Sequence, residues 1–373
     1  MPPLNILIKP ASGRCNLRCR YCFYTDETCN RETPDFGMMS EQTAEQIIKK
    51  SLAFAEGSCS FGFQGGEPTL RGLDFFRHFT ELVHQYNEKQ VPVSYMMQTN
   101  GMLIDAAWAR FFKENRFLIG LSLDGDKELH DENRIDATGK GTFQLVKKAA
   151  EELNAESVDY NILTVVTRQT ARNIQRIYAS FMKNGFVYQQ YIPCLDPLGT
   201  ERGAQPYSLR PEDYETFLIR LFDLWYRDKM EDRFVYIRYF ENLAGMLLGQ
   251  PPESCSLRGR CAPQIVVEAD GSVYPCDFYM LDDYRTGNFN FDTVADMVSH
   301  PNQLRFSQES CFVPRECRDC PYGPLCRGGC RRDRQGTDLH TTEKNYFCSA
   351  YRAFFAYAAP KMIELLREHG HAI

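Results

Sequence analysis

No apolar run in the 373 residues approaches the roughly 18 needed to cross a bilayer, so no membrane-spanning segment is expected. Positive charge is not in excess either: 43 Lys and Arg stand against 49 Asp and Glu, a formal net charge of −6. A general nucleic-acid binder would carry a basic surface, and that class is set aside. The opening MPPLNILIKP has no basic segment followed by a long apolar stretch, which argues against a secretion signal. The seven histidines (78, 84, 130, 300, 340, 369 and 371) show no metal-ligand spacing and read as structural or surface residues. Internal repeats and low-complexity stretches are lacking. What remains is an ordinary globular composition, 43% hydrophobic and 25% charged, for which a cytoplasmic location is expected.

Cysteine is the exception. There are fifteen, and without an export signal metal or redox chemistry is the expected use, not a disulfide framework. Cys15, Cys19 and Cys22 lie near the N-terminus, and nine of the fifteen fall between Cys255 and Cys348.

Over residues 1–200 the chain alternates between strand-like and helix-like stretches. Apolar runs of strand length occur at 4–8, 60–63, 93–97, 118–123, 160–166 and 187–192, with helix-like stretches near 40–56, 73–89, 104–115, 142–153 and 171–184. Ser40 and Thr170 read as helix starts. Repeated βα units imply a parallel sheet with helices outside. Six units are too few for a complete eight-stranded barrel, so the fold class is α/β with a partial (β/α)6 TIM-like barrel. Chemistry in such folds sits at the C-terminal strand ends. The cysteine triplet, Gln64-Gly65-Gly66-Glu67-Pro68, Gln98-Thr99-Asn100-Gly101, Ser122-Leu123-Asp124-Gly125 and Pro193-Cys194-Leu195 all fall there. A helix over 211–229 bridges to a second region. From about 250 onward the chain is rich in Cys, Gly, Pro and Arg, which predicts little apolar core and a need for metal staples. A last helix is expected over 351–368.

The spacing Cys15-x3-Cys19-x2-Cys22 puts three thiols in one short loop. A four-iron cluster held by three thiolates keeps one iron open for a small chelating molecule. The bland alternative is a zinc site with a distant fourth ligand. With Tyr21 before the third cysteine, and Gly65-Gly66-Glu67-Pro68 one βα unit later, the sequence resembles the radical S-adenosylmethionine (radical SAM) superfamily. The resemblance implies a [4Fe–4S] cluster on Cys15, Cys19 and Cys22 whose open iron binds S-adenosyl-L-methionine. Tyr21, Gly66, Ser122, Arg134 and Leu195 would then line the cofactor pocket, Arg134 as a partner for the cofactor carboxylate. The alternative for Arg134 and Leu195 is a surface or packing role.

Cys261, Cys276, Cys317, Cys320, Cys326, Cys330 and Cys348 resemble the SPASM pattern, a cysteine-rich C-terminal domain with auxiliary clusters. Cys255 makes eight, enough for two more [4Fe–4S] clusters and three per chain. The resemblance implies that Cys255, Cys261, Cys276 and Cys330 hold one, and Cys317, Cys320, Cys326 and Cys348 the other. It divides the chain into a radical SAM barrel over 1–230 and a SPASM domain with a C-terminal helix over 231–373. Arg327, Arg331, Arg332 and Arg334 read as compensation for thiolate charge. Of the remaining cysteines, Cys59 reads as a small buried hydrophobe, and Cys194 lies near the expected pocket.

Oxidising a carbon radical to an aldehyde-level product releases one electron and one proton. Auxiliary clusters can take the electron. Asp277, beside Cys276, is the expected catalytic base, with a turn-capping role as its alternative. Tyr24 and Gln98 are candidates for orienting the reacting group. Over almost its whole length the chain resembles the anaerobic sulfatase-maturating enzymes. That implies an S-adenosylmethionine-dependent oxidoreductase converting a cysteine or serine of a sulfatase to Cα-formylglycine, a cysteine passing through a thioaldehyde. The implied partners are a sulfatase polypeptide with a Cys/Ser-x-Pro-x-Arg motif and an electron donor such as flavodoxin or ferredoxin. A SPASM peptide cyclase forming thioether or carbon–carbon crosslinks, a radical dehydrogenase of a small alcohol, and a zinc-stabilised binding module remain as alternatives.

Overall fold

In the computed structural model, which describes residues 3–336 and 340–370, the chain divides into two compact units. His371 lies outside the described residues. The first unit comprises 1–123, 131–160 and 263–306, and the second 124–130, 161–262 and 307–373.

The first unit holds β1 (Leu4–Ile8), β2 (Cys59–Phe63), β3 (Val93–Thr99) and β4 (Phe117–Ser122), neighbours in that order and parallel. In the second unit β5 (Tyr160–Val166), β6 (Tyr188–Pro193) and the two-residue β7 (Tyr236–Ile237) are also parallel. Each of the first six strands follows an expected apolar run, within two residues at either end. Helices intervene as the alternation requires. Ser40 caps Glu41–Phe54 by accepting from Thr43 N at 3.0 Å. Asp105 caps Ala106–Glu114 in the same way. The stretch expected as one helix over 171–184 is two, Arg168–Arg172 and Ile174–Lys183. Thr167, not Thr170, is the cap, because its hydroxyl reaches Thr170 N at 3.2 Å.

The first unit's core is aromatic. Phe63 packs edge-on against Phe76 and Phe79 at 5.0 and 5.1 Å, and Tyr95 stacks on Phe117 at 5.0 Å. The second unit packs the helices Pro211–Met230, Arg238–Leu247 and Cys348–Glu368 around Phe222, Phe240 and Phe354. Among the described residues no helix is long and apolar enough to cross a membrane.

One expectation is corrected. Part of the region after 250 carries an apolar core of its own. The strands β8 (Ile265–Val267), β9 (Ser272–Tyr274) and β10 (Gly287–Asn288) extend the first unit's sheet, with β8 parallel to β1. Val266, Tyr274 and Met280 are buried together with Leu7, and Phe306 packs on Tyr279 and Tyr284. Strands of two or three residues are too short for a periodic signal. Three residues after β9, Asp277 lies beside Lys9, the residue that directly follows β1.

Candidate active site

The cysteine loop begins at the end of β1. Cys15, Cys19 and Cys22 are half-buried, and a turn from Cys22 N to Cys19 O at 3.2 Å draws the last two together. Cys15 Sγ accepts from Leu17 N at 3.3 Å and from the Asn100 amide at 3.7 Å. Burial pushes its thiol up to about 11, and a metal ligand of this kind gives up its proton on coordination. The loop after β2 approaches closely. Glu67 N donates to Arg14 O at 2.7 Å. A Cβ on Gly66, whose φ is +46°, would lie 2.0 Å from that same oxygen, so only glycine fits.

Glu67 itself is fully buried. It accepts from Thr69 N, Thr69 Oγ1 and Thr99 Oγ1 through Oε1 (3.0, 2.6 and 2.8 Å) and from Asn100 N through Oε2 at 2.7 Å. Burial raises its pKa, and these donors oppose the rise. Tyr21 is buried, with the Arg134 guanidinium 5.6 Å from its ring centroid. Arg134 is therefore not a surface residue. Ser122 is half-buried at the end of β4, and Leu195 is half-buried just past β6 in the second unit.

Asp277 is buried at the centre of a polar group that the sequence revealed only in part. Tyr24 Oη donates to its Oδ2 at 3.0 Å, and the Gln64 amide donates to the same oxygen. Gln64 also donates to Tyr24 Oη at 2.5 Å. Lys9 Nζ lies 3.0 Å from Oδ1. Side chains from the end of β1, the helix Phe23–Cys29 and the end of β2 thus converge on one carboxylate. Tyr24 was anticipated; Lys9 and Gln64 were not. Gln98, the amide expected here, is exposed on β3. Glu27 completes the group, 3.6 Å from Lys9. The phenol of Tyr24 is pushed well above its ordinary range, first by burial and then by the Asp277 charge.

In the second unit Cys317, Cys320, Cys326 and Cys348 line one cavity of about 490 Å³. Cys330, Cys261 and Cys255 interact electrostatically with one another, and burial raises the Cys330 thiol most. Cys276 belongs to the first unit. Among the described residues no three His, Cys, Asp or Glu side chains could hold a single metal ion. Thiolates of a four-iron cluster bind different irons, and a cavity lined by four of them fits such a group in donor chemistry and in room. Arg331 is paired with Glu309 at 2.6 Å, and Arg332 and Arg334 donate to backbone carbonyls, so this arginine group is a buried structural knot. Arg331 and Arg334 also favour the charged form of Cys261. Cys59 is buried, its thiol raised to about 12, and Cys194 is buried too, while Cys29 and Cys311 are exposed.

A cysteine triplet at the first strand end, a glycine loop beneath it and a C-terminal cysteine set define a class. The model of the radical SAM superfamily matches residues 10–181, and that of an iron–sulfur cluster-binding domain, SPASM, matches 259–321. A cysteine-type anaerobic sulfatase-maturating enzyme of Clostridium novyi is 49% identical over 355 residues, covering 95% of each chain. The serine-type enzyme of Klebsiella pneumoniae is 32% identical, covering 95% of this chain and 87% of its own length. The solved structure of native anSMEcpe with bound AdoMet and Cp18Cys peptide superimposes with a TM-score of 0.95 at 46% identity, covering 98% of this chain and 99% of that one. The chain belongs to the anaerobic sulfatase-maturating enzymes.

Proposed function

We propose that this chain oxidises a cysteine of a sulfatase polypeptide, within a Cys-x-Pro-x-Arg motif, to Cα-formylglycine. Three [4Fe–4S] clusters and S-adenosyl-L-methionine supply the hydrogen-abstracting radical and the one-electron acceptors. Cys15, Cys19 and Cys22 are the ligands on the radical side, and Cys255, Cys261, Cys276, Cys317, Cys320, Cys326, Cys330 and Cys348 hold the auxiliary pair. Tyr21, Gly66, Ser122, Arg134 and Leu195 form the cofactor pocket. In domain terms, 1–230 carries the radical chemistry and 231–373 the auxiliary clusters. The preference for cysteine over serine is supported by the 49% identity to a cysteine-type relative against 32% to a serine-type one. Electrons come from a one-electron carrier such as a flavodoxin or ferredoxin, and the enzyme works in the cytoplasm, where thiols stay reduced.

The observation that carries the mechanism is the set of side chains converging on Asp277. Losing one hydrogen atom and then one electron and one proton takes the substrate carbon to the thioaldehyde, and water then replaces sulfur by oxygen with release of hydrogen sulfide. Asp277 takes the proton. Tyr24 and Gln64, both on Oδ2, hold that oxygen and exclude water from around it.

Asp277→Asn tests this, because it keeps size and removes the charge. Cleavage of S-adenosylmethionine to 5′-deoxyadenosine needs no base and should persist, while aldehyde formation falls by roughly 10²–10⁴-fold. Loss of both in parallel would make Asp277 a structural support for Cys276. Unchanged aldehyde formation would remove Asp277 from the reaction.

A further inference from the structure

Lys9 is a cation where burial alone would forbid one. Its side chain is 2% exposed, and its amine sits 3.0 Å from Asp277 Oδ1, 3.6 Å from Glu27 Oε2 and 4.1 Å from the centroid of the Tyr24 ring. Its backbone is anchored, with Lys9 N donating to Val267 O at 2.8 Å. Its alkyl stem runs through a slot that Gly65 keeps open: a Cβ there would lie 2.5 Å from Lys9 Cγ and Cδ. A buried ammonium costs several kcal/mol unless it is well paired, and a hydrocarbon side chain would fill the slot without that cost. The charge therefore has a use.

Which carboxylate uses it follows from the neighbours. Arg31 and Glu268 form their own buried pair at 2.8 Å. Glu27 lies further from the amine than Asp277 does, 3.6 Å against 3.0 Å, and burial pushes its carboxyl toward the neutral form. For Lys9, burial works against the charge, and Asp277 heads the carboxylates that outweigh it. The ammonium thus belongs to Asp277.

We propose that Lys9 is a positioning residue for catalysis: it fixes Oδ1 of Asp277 and balances its charge, so that Oδ2 faces the Tyr24–Gln64 side. This rests on Asp277 as the proton acceptor. Gln64 donates to Oδ2, Tyr24 bridges the two oxygens at 3.0 Å from Oδ2 and 3.2 Å from Oδ1, and Lys9 is the cation on Oδ1. Without that cation only the longer 3.2 Å bond from Tyr24 remains on Oδ1, and the carboxylate is free to rotate.

The test is a double-mutant cycle on the reconstituted enzyme with a Cys-x-Pro-x-Arg peptide, using Lys9→Met, Asp277→Asn and the pair. The ratio of aldehyde to 5′-deoxyadenosine and the thermal midpoint are both read. Lys9→Met should keep cofactor cleavage while the ratio falls at least about tenfold. Lys9→Gln, which can still donate to Oδ1, should lie between Met and wild type, and it serves alone if the Met variant does not fold. In the Asp277→Asn background, Lys9→Met should add nothing to the loss of ratio. Its effect on the midpoint should be smaller there than in wild type, because no unpaired carboxylate is left behind. A wild-type ratio in both Lys9 variants, an equal drop in cleavage and aldehyde, or a full additive loss in the Asp277→Asn background would each overturn the proposal. Undiminished aldehyde formation by Asp277→Asn alone would instead bring down the base assignment beneath it.

Discussion

Glu27 shows how a buried group in this protein becomes measurable. It lies in the helix Phe23–Cys29, faced by Lys9, Asp277, Arg31 and Met280 N, and its pKa rises from the ordinary 4.5 to about 8. Between those values the folded chain holds a proton that the unfolded chain has released. Its share of stability is therefore complete below about 4.5 and is lost as pH climbs through about 8. Glu27→Gln does not titrate. The thermal midpoint of Glu27→Gln minus that of wild type should grow as pH rises from about 5 to about 8. Parallel curves would show that Glu27 is ionised throughout. Residue by residue, the sequence exposes what is tied to a cysteine by adjacency: Asp277 follows Cys276, and Tyr24 follows Cys22. Lys9, Gln64 and Glu27 have no such marker. Lys9 and Gln64 are neighbours because β1 pairs with β2, and they meet Asp277 across more than 200 residues of chain, which no local pattern reveals. Gln98 and Gln64 look alike on paper, both near strand ends and in register on neighbouring strands, and what separates them is that β2 adjoins β1 whereas β3 lies one strand further away.

At the scale of elements, the loop after β2 and the end of β3 are held together by one carboxylate. Glu67 accepts from both threonines and from Asn100 N, and Asn100 in turn donates to Cys15 Sγ. The glutamate of the Gly-Gly-Glu-Pro motif is thus a clip between strand ends, and the cysteine loop rests on it. Glu67→Gln puts an amide donor against one of these donors. That should cost about 1–3 kcal/mol, seen as a lower midpoint in urea with an unchanged slope; an unaltered midpoint would mean that the loop holds itself. Elements with enough residues to show a period are legible beforehand. Tyr160–Val166 and Leu4–Ile8 coincide with their apolar runs. The break at Asn173 hides inside a continuous helical pattern because Ile174, Ile177, Tyr178 and Phe181 are all core residues. The strands β8 to β10 have only two or three residues each, so neither a period nor a run announces them.

For the molecule as a whole, the two kinds of cysteine set were the most readable feature, because ligand spacing is local chemistry. Cys317, Cys320, Cys326 and Cys348 do line one cavity, although the last is 22 residues beyond the third. That grouping came from family resemblance, since spacing alone does not choose among eight cysteines. The division into units was less readable: residues 263–306 leave the neighbouring cysteine-rich segments to complete the first unit's core. The central claim is that this fold converts a sulfatase cysteine into an aldehyde. The most direct test is anaerobic incubation of the reconstituted enzyme with S-adenosylmethionine, a reductant and a Cys-x-Pro-x-Arg peptide, followed by mass spectrometry. The account predicts a product that has lost two hydrogens and exchanged its sulfur for oxygen, formed with 5′-deoxyadenosine. A product that has lost two hydrogens but kept its sulfur, as an internal crosslink does, would contradict it.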